Sequence, residues 1–203
     1  DPVGLVRALW QNYTSGEVVS GASTITQQLA RGLLLPEEKY EQTLQRKARE
    51  IVLAAEITRR FSKQEILELY LNENYYSNLS YGIQAASETY FNTTADKLTL
   101  AQGSFLAGLP QSPGIYDIYT NREDTLNRHK QVLTLMYQLS QETNCIDVDT
   151  NGDRVCVDAP TAQAAAAEIE AYNFTRRPAT IRYPHWVTYI RSLLESQYDA
   201  QTI

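Results

Sequence analysis

The sequence predicts an all-α protein, and three observations carry that prediction. Apolar residues recur at spacings of three and four through most of the 203 residues, the period of an amphipathic helix. Three of these runs open on a Ser or Thr followed three positions later by Glu or Gln, the capping-box pattern of a helix start. Stretches of strict two-residue alternation are scarce. At ~150 residues per domain the length suits one full domain with an appendage. A chain that is 43% hydrophobic and 21% charged has the composition of a folded globular protein.

Residues 3–13 read as a short amphipathic helix carrying Val3, Leu5, Val6, Leu9 and Trp10. Thr24-Ile-Thr-Gln27 predicts a capping box, the Thr24 hydroxyl accepting a free amide and Gln27 reaching back, with a helix to about Leu35 stopped near Pro36. Residues 40–61 make the longest candidate helix, with Leu44, Ala48, Ile51 and Ala55 as its apolar stripe. Ser62-Lys-Gln-Glu65 is a second capping box, opening a helix through Leu71. A helix near 82–90 follows, and Thr99-Leu-Ala-Gln102 caps another that ends before Pro110. Residues 122–140 form a long helix with Leu126, Val132, Leu133, Met136 and Leu139 on its apolar face. Beyond it come a polar insertion from Cys145 to Asp158, an Ala-rich helix over 161–171, a linker at Arg176-Arg-Pro178 and a last helix from about His185.

Eighteen Lys and Arg against 24 Asp and Glu give a net charge of −6, which argues against a surface that coats nucleic acid. The charge is uneven. Between Arg31 and Lys63 stand eight basic and five acidic residues, a basic island in an acidic chain. Such an island suits an anionic ligand, and equally a solvated helix face laced with ion pairs. Within it Arg46, Lys47 and Glu50 lie three and four apart and project from one side of a helix. They are either a surface ion-pair cluster or a carboxylate held among cations that neutralise a departing pyrophosphate. Upstream, Gly21-Ala-Ser-Thr-Ile-Thr-Gln-Gln28 sits at a helix start, where free amides and the helix dipole favour an anion. A plain cap accounts for Thr24 and Gln27 but gives no reason for Gln28, or for Arg31 one turn later. Other chemistries lack their residues. His129 and His185 are far apart and there are two Cys, too little for a His/Cys zinc site. Gly-rich nucleotide cradles and the G-x-S-x-G elbow are absent.

In that order, Gly21-Ala-Ser-Thr-Ile-Thr-Gln-Gln28, Arg46-Lys-Ala-Arg-Glu50 and Lys63-Gln-Glu-Ile-Leu-Glu-Leu-Tyr-Leu-Asn72 resemble the second, third and fourth motifs of the family 51 peptidoglycan glycosyltransferases. Arg128-His-Lys-Gln-Val-Leu133 resembles the fifth, with His129 where a second basic residue usually stands. Tyr81-Gly-Ile-Gln-Ala-Ala86 and Leu106-Ala-Gly-Leu-Pro-Gln111 resemble further family segments. This family forms the glycosyltransferase half of class A penicillin-binding proteins and also occurs as monofunctional enzymes. The resemblance implies a lysozyme-like helical fold that polymerises lipid II into glycan strands, releases undecaprenyl pyrophosphate and inverts the anomeric carbon. Residues 1–140 would be the glycosyltransferase core, 141–160 a Cys-bracketed insertion, and 161–203 a helical exit toward a transpeptidase domain in the parent chain. Arg182-Tyr-Pro-His-Trp-Val187 resembles that exit.

The resemblance also distributes roles. A first Glu, in an E-D-x-x-F motif, acts as base on the acceptor hydroxyl, and Glu50 matches the second catalytic carboxylate, assisting on the donor side. Arg46 and Lys47 would lie near the donor pyrophosphate, and Ser23, Thr24, Gln27, Gln28 and Arg31 would line the donor or acceptor path. Lys63, Tyr70, Asn72 and Arg128 would support the motifs. Arg31 stands where the family often has Lys and keeps the charge, whereas Gln42 stands where many relatives are basic. The implied partners are lipid II, the growing glycan strand and the membrane surface, with no nucleic acid. The implied location is the extracytoplasmic face of the bacterial cell membrane, with the anchor in a segment outside this chain. No cofactor is required by the sequence, although a divalent metal, Mg or Mn, suits a pyrophosphate leaving group. No E-D-x-x-F stands in the 203 residues and the chain opens on Asp1-Pro2. The expectation is therefore a chain cut just past its own general base, unable by itself to transfer glycosyl units. The serine motifs of β-lactam chemistry are absent too.

Cys145 and Cys156 bracket the insertion, and in an extracytoplasmic protein a disulfide is the natural reading, with two free thiols as the alternative. The same stretch nearly matches a calcium loop. Asp147, Asp149, Asn151 and Asp158 fall at positions 1, 3, 5 and 12 of the template, and Asp153 is a further oxygen donor. Asn151-Gly152 is also a strong two-residue hairpin signal, so a disulfide-linked hairpin stands first and a calcium site second.

Two rival functions remain. A lysozyme-like glycosidase would use Glu50 as acid and needs a carboxyl kept protonated in apolar surroundings, which Arg46, Lys47 and Arg49 disfavour. A non-catalytic helical binding module keeps the fold without the chemistry.

Overall fold

The computed structural model describes residues 23–38, 41, 43–148, 153–176 and 184–197. The helix expected over 3–13 lies outside them. The described residues are helical almost throughout. In order come α1 (Ile25–Leu34), α2 (Leu44–Arg60), α3 (Lys63–Glu73), α4 (Ile83–Phe91), α5 (Leu100–Gly108), α6 (Arg122–Thr143), α7 (Ala159–Ala171) and α8 (Pro184–Gln197). A two-residue hairpin, β1 (Ile146–Asp147) with β2 (Arg154–Val155), joins α6 to α7. The all-α expectation holds.

The caps explain where the helices begin. Ser62 and Thr99 form complete capping boxes with Glu65 and Gln102, as the sequence predicts. Thr43 caps α2, so that helix starts at Leu44 rather than near residue 40. The longest described helix is α6, with 22 residues, not the segment 40–61.

Two apolar cores result. The smaller lies among α1, α2 and α3 and holds Leu29, Ala30, Ala54, Ile57 and Ile66. The larger gathers Tyr76, Tyr90, Phe91, Phe105, Leu106, Leu133 and Ile169 from α4 through α7. Just past α7, Tyr172 packs edge-on against Phe91 and Phe174 stacks on Phe105, with ring centroids 5.2 Å apart in both pairs, which fastens the chain to this core as it leaves α7. The two cores meet where α3 adjoins α4.

The face of α2 differs from the expectation. Leu44 is 91% exposed and Ala48, Ile51 and Ala55 are exposed with it, while Glu50, Ala54 and Ile57 are buried. The period was legible, but the buried face includes a carboxylate.

Cys145 and Cys156 are disulfide-bonded, closing the hairpin loop. Such a closure contributes about 3 kcal/mol in the chain-entropy picture. Just beyond it Val157 is buried and its N–H donates to Ser140 Oγ at 2.9 Å, so the insertion is seated on α6.

Gly82, before α4, has φ 82°, and a Cβ there would lie 2.9 Å from the Asn72 carbonyl oxygen. Both the left-handed backbone and the close approach demand glycine. Gly82→Ala is expected to lower unfolding free energy by about 1–3 kcal/mol, visible as a reduced urea midpoint with an unchanged slope.

Candidate functional site

The site is assembled at the N-terminal ends of α1 and α2. Thr24 caps α1 by accepting the Gln27 N–H at 3.2 Å. The other half of the expected box does not form. Gln27 is buried, and its Oε1 accepts instead from Lys47 Nζ at 3.1 Å. Lys47 also donates to Ser23 Oγ at 2.7 Å, so one ammonium ties α2 to the start of α1.

Glu50 is 0% exposed. Its Oε2 accepts from Arg46 Nη1 at 2.5 Å and its Oε1 from Lys47 Nζ. A carboxylate taken out of water needs both a counter-charge and hydrogen bonds, and here each oxygen has both. Two cations around one carboxylate leave a formal excess of one positive charge at the cluster. The bland alternative is present on the same helix for contrast. Glu56 pairs with Arg59 and Arg60 at the same spacings, and these side chains are solvated. The hydrogen bonds from Arg59 and Arg60 hold the Glu56 carboxyl at about 2, and that cluster is an ordinary surface network. Burial, not spacing, separates the two clusters.

A third helix reaches the site. Tyr70 of α3 donates to Gln28 Oε1 at 3.3 Å, and Gln28 Nε2 donates to the Ser23 carbonyl at 3.4 Å. Tyr70 therefore braces a site residue directly, a contact across 42 positions that no local pattern reveals. Arg31 is half-buried in the last turn of α1. Lys63 and Asn72 are exposed on α3. Arg128 belongs to the other core, where its Nε donates to the Gly108 carbonyl at 3.4 Å and its guanidinium lies over the Tyr116 ring. The structure thus joins Ser23, Thr24, Gln27, Gln28, Arg46, Lys47, Glu50 and Tyr70 in one hydrogen-bonded set, and places Arg128 in another.

His129 also departs from the pattern that suggested a basic residue at its place. It is 1% exposed, with Nε2 2.9 Å from Ser104 Oγ and its ring edge-on to Phe105. Ser104 Oγ also lies 3.0 Å from the Ala101 carbonyl, so the hydroxyl sits between that carbonyl and the imidazole. Burial pushes its pKa down to about 4. His129 is a neutral core residue that locks α5 to α6.

In the insertion, Asp147 pairs with Arg154 Nε at 2.8 Å. Asp158 caps α7 by accepting the Thr161 N–H at 2.8 Å, and that bonding holds its carboxyl below the usual range. Asp153 gives its carbonyl to the Val148 N–H in the hairpin. Asp149 and Asn151 lie outside the described residues. Among the described residues no cluster of three or more His, Cys, Asp or Glu is arranged to hold a metal ion, and no helix is long and apolar enough to cross a membrane.

The chain is similar to known proteins. The family model described as transglycosylase matches residues 1–137. Penicillin-binding protein 1A of Aquifex aeolicus is 44% identical over 138 residues, covering 68% of this chain and 19% of that protein. The protein of the same name from Haemophilus influenzae is 46% identical over 136 residues, 67% of this chain and 16% of its own length. That of Escherichia coli is 37% identical over 182 residues, 85% of this chain and 21% of its own. The chain thus spans about a fifth of the length of these relatives. A crystal structure of the Haemophilus influenzae protein aligns with a TM-score of 0.46 at 19% identity, over 90% of this chain and 21% of that one.

Proposed function

The chain belongs to the transglycosylase family, the family 51 peptidoglycan glycosyltransferases, and from that premise we propose that the Glu50 site holds the donor end of lipid II during glycan polymerisation. One observation carries the reading: a fully buried carboxylate is clamped by two cations, one of which also bridges to a helix N terminus. When the donor sugar leaves its carrier, negative charge grows on the pyrophosphate. Lys47 and Arg46 stand ready to neutralise it, because Glu50 holds both in place and satisfies only part of their charge. Ser23, Gln27 and Gln28 fix the ammonium and the α1 cap so that little reorganisation accompanies charge development. Arg31 extends the positive surface by one turn. The base that takes the acceptor proton belongs to the family's first motif and is not among these residues.

A divalent metal fits this donor set poorly. Glu50 supplies the site's carboxylate, and both its oxygens already receive cationic donors. Arg46 and Lys47 therefore do the neutralising in this reading. The glycosidase alternative finds no support at Glu50, whose oxygens face an ammonium and a guanidinium rather than apolar surroundings. The reading also places the protein at the outer face of the cell membrane, beside a transpeptidase domain, with the growing glycan strand as its second substrate.

Lys47→Ala tests the pyrophosphate assignment. Titrated with a soluble isoprenyl pyrophosphate and followed by calorimetry, the variant is expected to bind about 10- to 100-fold more weakly, the value of a charge-assisted hydrogen bond. Lys97→Ala, at an exposed position away from the motifs, should bind as the wild type does. Equal affinities in all three proteins would refute the assignment.

A further inference from the structure

Helix α3 brings a tyrosine to the Glu50 site but is lightly seated there. Among the described residues of α3, Ile66 alone is buried, in the small core. The capping box of Ser62 with Glu65 is local and solvated, and fixes nothing beyond the first turn. The link to the site is Tyr70 OH on Gln28 Oε1 at 3.3 Å, followed by Gln28 Nε2 on the Ser23 carbonyl at 3.4 Å. Both bonds lie at the long end of the hydrogen-bond range, so a small displacement of α3 decides whether they exist.

The far end of α3 supplies the missing restraint. A helix leaves its last carbonyls without partners inside the helix. A left-handed residue often closes such an end, but the C-cap here, Asn74, is extended, with φ −66° and ψ 145°. Its N–H reaches the Tyr70 carbonyl at 3.2 Å. The next carbonyl, that of Leu71, accepts from Tyr76 OH at 3.2 Å. Tyr76 is 1% exposed and belongs to the large aromatic core.

That core holds Tyr76 on both sides. Its N–H donates to the Ser80 carbonyl at 2.9 Å, and its carbonyl accepts from Tyr90 OH at 2.7 Å. Asn78 Nδ2 donates to Tyr90 OH at 2.9 Å and to Asp117 Oδ1 at 3.1 Å. The Tyr90 ring stacks on Tyr119 and meets Phe105 edge-on. The hydroxyl so placed is also a neighbour of Tyr70. Burial raises the Tyr76 pKa, and the Tyr70 phenol beside it raises it further. One buried hydroxyl of the large core thereby closes the last turn of the helix that braces the small one. A misplacement of about 1 Å from a remote support can cost about 10²-fold in a reaction that depends on placement.

We propose that Tyr76 is a positioning residue for the Glu50 site, fixing the last turn of α3 so that Tyr70 keeps Gln28, and through Ser23 the Lys47 ammonium, in place. The proposal rests on the pyrophosphate reading for its binding arm alone. In the full chain, Tyr76→Phe and Tyr70→Phe should each shift the side-chain amide resonances of Gln28 in NMR spectra. Each should also weaken binding of a soluble isoprenyl pyrophosphate about three- to tenfold, the value of one hydrogen bond. Because Tyr76 acts through Tyr70, the double variant should bind no more weakly than the weaker single one. Thr125→Val removes a buried hydroxyl on α6, which donates to the Asn121 carbonyl, and should change stability alone. If Lys47→Ala binds pyrophosphate as the wild type does while Tyr76→Phe still shifts Gln28, the pyrophosphate reading fails and the positioning role stands. The role is overturned if Tyr76→Phe leaves the Gln28 resonances in place, or if Thr125→Val moves them as much. It is equally overturned if the two losses multiply in the double variant, or if Tyr76→Phe keeps full affinity where Lys47→Ala loses it.

Discussion

Glu50→Gln is expected to reduce lipid II polymerisation by about 10²- to 10⁴-fold, the usual contribution of a positioned carboxylate. The measurement uses a polypeptide that also carries an E-D-x-x-F motif, so that both carboxylates of the family reading are present. Gln keeps the shape and one acceptor oxygen but removes the charge that holds Arg46 and Lys47. Both cations are then uncompensated in a largely desolvated cluster, so unfolding free energy should fall by about 1–3 kcal/mol as well. The two effects separate cleanly, because a folded variant shows the activity loss per folded molecule and circular dichroism reports the stability loss. Full polymerisation by Glu50→Gln would remove Glu50 from the chemistry and leave it a structural ion pair.

The second large effect concerns pH and lies away from the site. His129 titrates at about 4 in the folded protein, against an ordinary value of 6.5. Between those values the unfolded chain binds a proton that the folded chain refuses, so stability rises with pH across the window. The contribution is complete above about 6.5 and is lost as pH falls toward 4, a decline of about 3 kcal/mol at 1.36 kcal/mol per unit. Urea unfolding at a series of pH values should show that decline in the wild type. His129→Gln can hydrogen-bond Ser104 and does not titrate, so its curve should lack this component. Parallel curves for the two proteins would show that His129 is not the titrating group. Carboxylates held low by their partners, such as Glu56 and Asp158, lose their contributions at lower pH in both proteins and cancel in the comparison.

These two residues also show what a sequence discloses and what it withholds. Helix positions were legible because local features set them: Ser62 with Glu65 and Thr99 with Gln102 close real capping boxes. Glu50 was legible through spacing and family resemblance, since residues three and four apart on a helix must share a side. What covers that side was not legible. The stripe of Leu44, Ala48, Ile51 and Ala55 has the same period as the buried face, and only packing against α1 selects between them. A cap is the local reading of Gln27, with a partner three residues away, whereas its partner in the fold, Lys47, is 20 residues away. Tyr70 on Gln28 and His129 on Ser104 are likewise long-range contacts. A histidine that replaces a basic residue looks like a weakened cation until the apolar wall of Phe105 around it is seen.

The orientation of α2 has a consequence for the folding landscape. The helix carries two competing faces, one aliphatic and exposed, the other bearing Glu50, Ala54 and Ile57 and buried. Local preference and native packing disagree there, which is frustration in the landscape sense. Among the described residues, the small core among α1, α2 and α3 has few large apolar side chains with which to resist local opening, whereas the aromatic core beyond α3 has many. Amide exchange in α1 and α2 should accordingly proceed through sub-global opening well below the free energy of complete unfolding, with α5 and α6 exchanging last. In the proposed reading this less cooperative segment is the one that meets the pyrophosphate, and an anion bound between Arg46 and Lys47 would raise its protection selectively.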